Sequence, residues 1–417
     1  IWGLTYTNNT DTLRRSFGVE IAKWLKNKKI KVSGFDPKVK IYPKVIKKII
    51  TQVNSPLSKI KNADVLIVGN GSHEFINIKG DKIKKINKNL TIIDPNNYFK
   101  NLKKNFKNKY IYVGKPNLVK KEKKLKFNYN FNNKVVLITG ASKGLGFEIS
   151  KSFLKYGANL IICSRNYIEI KKTIKKLNKL KKRNQKIIYS ATDISLFDDV
   201  KKLINISIKK FKKIDVLVNN AGIYGPKGSI EKINFNEFIK TININLLGSI
   251  YLCRELIPHF KKRNSGKIIQ LSGGGATSPL PFINGYAVSK AAIVRFIENL
   301  SQETKNYNID INSVAPGPLN TGMLNEVIKA GPQKVGKVFF KKSILQKKNG
   351  GTPFSKVNDL ILFLGSSYSN GVSGKLISAL WDDWNNWINY KDTLRNSDIY
   401  TLRRVTGLDR GYSWGDK

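Results

Sequence analysis

Short apolar runs alternate with amphipathic stretches along most of the chain, a pattern typical of strands followed by helices. In the first part of the chain, the runs that we predict to be strands are 30–35, 64–68, 91–94 and 110–113. One helix is predicted around 83–87, and another from the apolar face formed by Phe17, Ile21, Ala22 and Leu25. Because strands that alternate with helices usually pair in parallel, residues 1–116 predict an α/β module.

A longer α/β module follows a polar, lysine-rich stretch at 114–130, where we place the boundary. Its predicted strands are 134–139, 159–163, 187–191, 216–219, 267–271 and 310–315. Leu145, Ile149 and Phe153 have the spacing of one buried helix stripe. The predicted fold class is α/β, with two Rossmann-like three-layer αβα modules and mostly parallel sheets. The predicted domains are 1–116, a basic linker at 117–130, the larger module at 131–380 and an aromatic C-terminal tail at 381–417.

The charge of the chain is strongly positive, with 76 Lys and Arg against 28 Asp and Glu and a formal net charge of +48. The lysines spread over most of the chain instead of forming one basic arm. We therefore interpret them as a solvated surface and predict no nucleic-acid partner, although a basic binding scaffold that is not an enzyme stays an alternative. The positive field would still attract anionic substrates.

Other bulk features concern the compartment and the extent of the chain. Two cysteines, Cys163 and Cys253, cannot form a disulfide framework and indicate a reducing, cytoplasmic environment. No apolar run has the length of a membrane span. No Cys, His and carboxylate cluster has metal-ligand spacing, since His73 and His259 are isolated. The first residue is Ile1 instead of Met, so we expect that the true start lies upstream.

A glycine-rich segment, 139–146, follows the apolar strand of the larger module and opens a helix. This is the context in which a loop can hold the pyrophosphate of a dinucleotide at a helix N-terminus. Gly140 permits the tight turn, Gly144 lets the backbone approach phosphate, and Gly146 allows the helix to pack closely on the sheet. Further along, Tyr286 precedes Lys290 by one helical turn, so both side chains share a helix face. A phenol beside an ammonium can donate or accept a proton near neutral pH.

The larger module resembles the classical short-chain dehydrogenase/reductase family over roughly 130–378, on the glycine loop, 219–222, Asn245, Tyr286 with Lys290, and 316–317. The resemblance implies an NAD(P)-dependent Rossmann oxidoreductase. In it, Tyr286 is the general acid/base, Lys290 lowers the tyrosine pKa, Asn245 maintains a proton relay and a serine stabilises the substrate oxygen. That serine is assigned to Ser272, but Gly273 stands at the usual position. Either the loop 273–275 absorbs one residue, or Ser278 or a backbone amide takes over.

The cofactor is predicted from the charges at the end of the second strand of this module. Arg165 there and Lys143 in the glycine loop are cations, and the segment 164–166 has no carboxylate. This pattern favours the 2′-phosphate of NADP(H), with NAD as the alternative. By resemblance, Asp193 contacts the adenine and Thr321 the carboxamide. The predicted cofactor-binding residues are Gly140, Ser142, Lys143, Gly144, Leu145, Gly146, Arg165, Asp193, Asn220, Gly222, Pro316, Gly317 and Thr321.

The first module resembles the UDP-binding C-terminal domain of the UDP-glucose/GDP-mannose dehydrogenase family over residues 1–116. The resemblance rests on the segments 3–7, 10–14, 35–37, 62–65, 74–75 and 112–116. Two cations that would face phosphate are replaced, by Thr7 and within 94–97, whereas Arg14 remains. Nucleotide binding and an interaction or vestigial role are therefore both open for this module.

Together these features predict a cytoplasmic NADP(H)-dependent oxidoreductase acting on a CH–OH or C=O group. The neighbouring module points to a sugar or nucleotide-sugar ketone as the small-molecule substrate, in polysaccharide precursor synthesis. We also expect a homo-oligomer. The related alternative is a bifunctional protein whose missing N-terminal part completes a UDP-glucose/GDP-mannose-type dehydrogenase.

Overall fold

The computed structural model describes residues 1–5, 11–13, 16–106, 109–112, 125, 127–407 and 409. By its internal contacts the chain divides into two compact units, Ile1–Lys123 and Lys124–Lys417. Every strand pairing within the described sheets is parallel. The predicted fold class, α/β with mostly parallel sheets, is therefore confirmed.

The first unit has short strands, which are β1 (Ser33–Gly34), β2 (Thr51–Gln52), β3 (Val65–Ile67), β4 (Thr91–Ile93) and β5 (Tyr110–Ile111). β1 pairs with β2, and β4 lies between β3 and β5. Trp2 forms parallel bridges to both Phe35 and Val68, so the N-terminal segment lies between these two sheets. The Trp2 ring is buried and stacks on Phe75 at 5.4 Å between centroids, which anchors this segment in the core.

The helices of the first unit are α1 (Phe17–Asn27), α2 (Lys44–Lys47), α3 (His73–Ile76), α4 (Gly80–Ile86) and α5 (Lys100–Phe106). The predicted face of α1 is wrong at Phe17, which is 46% exposed. Ser16 is the N-cap, and its hydroxyl accepts a hydrogen bond from the Val19 amide at 3.2 Å. The face that turns to the core is consequently Val19 and Ala22. Thr7, Arg14 and the segment 113–116 lie outside the described residues.

The second unit contains a seven-stranded parallel sheet with the order β12-β11-β10-β9-β6-β7-β8. Its strands are β6 (Val135–Thr139), β7 (Asn159–Ser164), β8 (Ile187–Ala191), β9 (Val216–Asn219), β10 (Gly266–Leu271), β11 (Ile309–Ala315) and β12 (Leu376–Ser378). All except β12 were predicted to within one residue at each end. The strand order reverses between β6 and β9, and ligands of such sheets bind at the carboxyl ends of the strands beside this reversal.

Helices cover both faces of this sheet. They are α6 (Gly144–Lys155), α7 (Tyr167–Asn178), α8 (Phe197–Phe211), α9 (Phe235–Ile242), α10 (Gly248–Arg263), α11 (Asn284–Glu303), α12 (Gly322–Ala330), α13 (Pro332–Val335), α14 (Lys337–Asn349), α15 (Phe354–Gly365) and α16 (Lys391–Arg395). The predicted stripe of Leu145, Ile149 and Phe153 is buried against one face. Cys163 and Cys253 lie in the core on the other face, where burial raises the pKa of each thiol to about 12.

Aromatic residues on both sides of the predicted second module belong to its core. Trp384, in the predicted tail, is buried, and its ring lies 5.4 Å from Phe363 of α15. Phe127, in the predicted linker, lies 5.2 Å from the same phenylalanine. Trp384 and Phe127 therefore serve the packing of this core, whereas Trp381 of the tail is 81% exposed. Across the described parts of the chain, we find no helix with the length and apolar character required for a membrane span.

Candidate active site

The glycine-rich segment lies at the reversal of strand order, between β6 and α6. Gly140 and Gly144 have φ angles of +62° and +56°, a region that disfavours residues with a Cβ atom. A Cβ at Gly146 would overlap the Gly140 carbonyl oxygen and lie 2.6 Å from the Asn220 side-chain nitrogen. The three glycines thus have the tight turn and close helix packing that their predicted role requires.

Asn220 joins this loop to the end of β9. Its side-chain amide donates to the carbonyl oxygens of Thr139 at 2.8 Å and Gly140 at 3.2 Å. In return, the Thr139 hydroxyl accepts hydrogen bonds from the amides of Asn220 and Ala221, both at 3.0 Å. Thr139 had no predicted role, although it is the residue that fixes the two loops against each other.

Tyr286 and Lys290 lie together on α11, as predicted. The Lys290 ammonium is 5.6 Å from the centroid of the Tyr286 ring and donates to the Leu271 carbonyl oxygen at 2.9 Å. Lys290 is only 4% exposed and Tyr286 only 9%. Leu271 ends β10, so this hydrogen bond fixes the lysine at the carboxyl edge of the sheet.

Asn245 lies in a π-helical turn, Asn243–Leu247, between α9 and α10. Its side chain accepts from the Ile223 amide and donates to the Ile223 carbonyl oxygen, both at 2.9 Å, and it donates to the Ser289 hydroxyl at 3.0 Å. Such turns occur often at functional sites, because the extra residue redirects a side chain. A Cβ at Gly222 would lie 3.2 Å from the Asn245 oxygen and 3.6 Å from the Lys290 nitrogen. The structure therefore brings Asn245, Gly222 and Lys290 together.

Burial shifts both members of the tyrosine–lysine pair toward their neutral forms. It lowers the pKa of Lys290 to about 8. Burial, with a smaller contribution from Tyr224, raises the pKa of Tyr286 well above its ordinary value, which is opposite to the lowering by Lys290 that the family resemblance implies. At neutral pH the phenol therefore keeps its proton while the lysine stays mostly charged, which is the state of a proton donor.

The position opposite the Tyr286 hydroxyl belongs to Gly273. A Cβ at Gly273 would overlap that hydroxyl, so this site has no room for a side chain while Tyr286 keeps its place. Gly273 is extended, with φ −178° and ψ 173°. Because side chains alternate along extended backbone, Ser272 points to the other side. Its hydroxyl is buried and has no hydrogen-bond partner among the described residues, and Ser278 is exposed. The serine role of Ser272 stays a prediction, and this geometry argues against it.

The predicted cation pair of the cofactor site has a carboxylate beside it. Glu169 accepts from the Lys143 ammonium at 3.1 Å and from the Ser142 hydroxyl at 3.2 Å. The Lys143 hydrogen bond, the largest contribution, lowers the pKa of Glu169. The expectation of cations without a carboxylate is therefore corrected. Glu169 was missed because it lies one helical turn beyond the end of β7, where the Asn166 side chain caps α7 by accepting from the Glu169 amide. Arg165 is exposed at the end of β7.

The remaining predicted cofactor residues also follow the carboxyl ends of strands. Asp193 follows β8, and its carboxylate accepts from the Ser195 hydroxyl at 2.6 Å. Pro316 and Gly317 follow β11, and Gly317 has a φ of +78°. The Thr321 methyl group would lie 3.8 Å from a Cβ at Gly144, which places Thr321 against the glycine loop. Leu145, in the first turn of α6, is buried in the core.

An apolar cluster surrounds Tyr286. Its residues are Ile283, Tyr286, Val327 and Val335, with Tyr224, Leu280, Met323, Ala330, Phe339 and Phe340 packed against them. The Tyr224 ring contacts that of Tyr286 edge-on, at 4.8 Å between centroids. Helices α12 to α14 thus wall the side of Tyr286 where a substrate would lie. Sequence reasoning missed Tyr224 because a single tyrosine in a loop has no periodicity or spacing to distinguish it.

The first unit has its own polar cluster where parallel segments end. The Asp36 carboxylate accepts from the amides of Leu4 at 2.6 Å and Thr5 at 2.9 Å and from the Asn70 side chain at 3.3 Å. Asp36 is buried, so it holds the turn after Trp2 against the ends of β1 and β3. Asp94, which opens the segment 94–97 where the family's cation is replaced, accepts from the Phe99 amide at 2.9 Å and shapes the loop before α5. Among the described residues, no group of His, Cys, Asp or Glu could hold a metal ion.

The sheet order, the glycine turn and the buried tyrosine–lysine pair define the second unit as a dinucleotide-dependent oxidoreductase. Residues 134–331 match the family described as short chain dehydrogenase, and residues 1–101 match the UDP binding domain of the UDP-glucose/GDP-mannose dehydrogenase family. Both predicted families are thus detected, with the UDP-binding domain first along the chain.

Individual relatives show the family directly. The chain is 32% identical over 256 residues to 3-oxoacyl-(acyl-carrier-protein) reductase of Chlamydia muridarum, covering 59% of this chain and 96% of that protein. It is 36% identical over 208 residues to 11-beta-hydroxysteroid dehydrogenase-like 3 of Arabidopsis thaliana, covering 48% of this chain and 64% of that protein. The chain belongs to the short-chain dehydrogenase/reductase family, which binds NAD(P), and is an enzyme of this type. A non-enzymatic basic scaffold is thereby ruled out as its main role.

Solved structures agree on the fold. A levodione reductase superposes with a TM-score of 0.55 at 23% identity, over 61% of this chain and 98% of that one. An NAD+-bound xylitol dehydrogenase superposes equally well, at 22% identity over 60% of this chain and 98% of that one. At this level of identity the likeness concerns the Rossmann fold alone.

Proposed function

We propose that the chain catalyses the NADPH-dependent reduction of a ketone on a sugar or nucleotide sugar. The observation that carries the proposal is the buried Tyr286 beside Lys290 at the carboxyl edge of the sheet, and the reductive direction is inferred from the predicted preference for NADPH. The sugar context and a place in polysaccharide precursor synthesis are supported by the UDP-binding family match of the first unit. The reaction would take place in the cytoplasm, and the working form would be a homo-oligomer.

Bound NAD(P)H supplies the hydride, which adds to the carbonyl carbon. The Tyr286 hydroxyl donates its proton to the carbonyl oxygen and becomes a phenolate. Lys290 stabilises that phenolate, because its ammonium lies beside the ring and a buried positive charge acts strongly at short range. Asn245 holds the backbone of Ile223 and so keeps the loop after β9 beside the lysine. The apolar cluster around Tyr286 excludes water from this proton transfer.

The choice of NADP(H) over NAD(H) rests on Arg165 and Lys143. The ion pair with Glu169 partly neutralises Lys143, so the predicted preference for NADP(H) depends more on Arg165 than on Lys143. Lys143 is 77% exposed and Glu169 is 40% exposed on their side chains, and ion pairs this exposed are weak. A 2′-phosphate carries more charge than one carboxylate and would take Lys143 from Glu169.

A second candidate function is nucleotide binding by the first unit, within a bifunctional protein of the UDP-glucose/GDP-mannose dehydrogenase type. The match of residues 1–101 favours it. The buried Asp36 cluster supports it too, because it shapes the carboxyl ends of parallel segments, where open α/β sheets bind ligands.

Replacement of the proton donor tests the main proposal. Tyr286→Phe should bind NADPH as tightly as the wild type, but the rate of NADPH oxidation with a ketosugar panel should fall by about 10²-fold or more. Cofactor binding is measured separately, as the rise in the thermal unfolding temperature with NADPH. The proposal is abandoned if neither NADPH nor NADH protects the wild type, or if the phenylalanine variant keeps full turnover.

The pH dependence of reduction should follow Lys290. Because its pKa is lowered to about 8, the ammonium loses its charge as the pH rises through that value. We expect kcat/KM for ketone reduction to be level below about pH 8 and to fall about tenfold per pH unit above it. In Lys290→Arg the guanidinium stays charged, so any remaining activity should lose this fall. A wild-type profile that stays level to pH 10 would contradict the assignment.

The cofactor preference should respond to single charges. Arg165→Ala should weaken NADPH binding about tenfold and leave NADH binding nearly unchanged, because only NADPH has the 2′-phosphate. Glu169→Gln should tighten NADPH binding by releasing Lys143. Lys175→Gln, an exposed change on α7, is the control for general charge. Equal effects on both cofactors in Arg165→Ala would show that the arginine does not select the phosphate.

The second candidate is tested by the unfolding of the two units. UDP should raise the unfolding temperature of the first unit, whereas NADPH should raise that of the second. Uridine lacks the phosphates and should protect neither. Should UDP leave every transition of the chain where it was, nucleotide binding by the first unit is wrong.

A further inference from the structure

Lys227 lies in the loop after β9 that leads from the glycine-loop contacts toward α9. Its side chain is only 12% exposed, unusual for a lysine in a loop. The ammonium lies 5.7 Å from the centroid of the Tyr224 ring, and that ring contacts Tyr286 edge-on. A largely shielded lysine is thereby separated from the proton donor by a single aromatic side chain.

The position of Lys227 relative to the catalytic helix is fixed by the backbone. The amide of Gly228 donates to the carbonyl oxygen of Phe282 at 2.9 Å, and Phe282 lies just before α11. Gly225, on the other side of the lysine, has a φ of +71°, and a Cβ there would overlap the Thr241 hydroxyl. The loop therefore presents Lys227 at the side of Tyr286 that the apolar cluster walls.

The partners of Lys227 neutralise it incompletely. Its ammonium donates to the Gly225 carbonyl oxygen at 3.1 Å and to the Glu326 carboxylate at 3.3 Å. Glu326 is 56% exposed, on the outer part of α12, next to the buried Val327 of the apolar cluster. An exposed carboxylate is well solvated and is easily exchanged, whereas the lysine is held in place. The pair is therefore a contact that a stronger anion can replace.

We propose that Lys227 binds an anionic group of the substrate, a carboxylate or a phosphate, and that this group displaces Glu326. The inference rests on the proposed function, since it takes Tyr286 as the donor to the substrate carbonyl. The cluster around Tyr286 is apolar, so one largely shielded cation beside it would dominate the selection of charge. By contrast Lys342, Lys347 and Lys348 of α14 are exposed.

The test uses binding, so that it does not depend on turnover. The full chain is saturated with NADP+, which cannot reduce a ketone, and titrated in a calorimeter with fructose, fructose 6-phosphate and 5-ketogluconate. The wild type should bind at least one of the charged probes about tenfold more tightly than fructose. The phosphate and carboxylate probes distinguish the two kinds of anion.

Three variants and one control define the role of Lys227. Lys227→Gln should lose the preference for the charged probe while binding fructose as before, and Lys227→Arg should keep the preference. Glu326→Gln should strengthen it severalfold, because the competing carboxylate is gone. Lys232→Gln removes the same charge from an exposed position of the same loop and should change nothing.

The inference is overturned by a wild type that binds neither charged probe better than fructose, and by a preference that survives in Lys227→Gln. Equal weakening of fructose and charged probes in that variant also overturns it, because this shows a structural role for the lysine. The proposed function is tested separately, by NADPH oxidation with the same probes. If fructose is reduced but the charged probes are not preferred, the proposed function stands and the anion site is wrong. If a charged probe is preferred but no probe is reduced, the anion site stands and the proposed function is wrong.

Discussion

The hydrogen bond from the Lys290 ammonium to the Leu271 carbonyl oxygen is the interaction on which the second unit's site depends. It places a charged group, almost without solvent, where β10 ends and α11 passes over the sheet. A buried ammonium is costly, and the cost appears as the lowered pKa of Lys290. The arrangement persists because the neighbouring parts hold it in place. Asn245 fixes the loop that runs past the lysine, Gly222 leaves room for both, and Tyr286 covers it with its ring.

The large sheet could be predicted from the sequence because its strands are buried on both faces. Such strands are continuous apolar runs, and the residues of β6 and β7 alternate between two cores instead of between core and solvent. The edge strand β12 has only three residues and was not predicted. Phe17 shows another limit. Its spacing fits a helix face, but the helix begins at that residue, and the cap at Ser16 decides which side turns inward.

The site could be predicted where residue type and spacing carry the chemistry, and not where only the three-dimensional contacts do. Tyr286 and Lys290 share a helix face in any register of α11, so their contact was predictable. The role of Ser272 was harder to predict, because whether the loop 273–275 absorbs one residue depends on its backbone angles. Gly273 is extended, and a Cβ at this position would overlap the Tyr286 hydroxyl. Because that hydroxyl belongs to a different element, the sequence around the serine does not reveal the overlap. Glu169 and Tyr224 also contact residues that are distant along the chain, Lys143 and Tyr286 respectively, and sequence spacing does not indicate such contacts.

A lysine paired with a carboxylate occurs both at the predicted cofactor site and at the proposed substrate site. This pairing explains how so basic a chain can still select among anions. With 76 basic residues, most lysines can contribute only a diffuse field. Lys143 and Lys227 differ from most of them because they lie at the candidate site, Lys143 in the glycine loop and Lys227 beside the Tyr224 ring, and each has a carboxylate partner there, Glu169 and Glu326 respectively. Such a carboxylate competes with other anions for the lysine. Only an anion that also fits the residues around the lysine can displace it. This competition thereby turns general attraction into discrimination, and the anion site proposed at Lys227 would be the more selective of the two, because the Lys227 side chain is 12% exposed and that of Lys143 is 77% exposed.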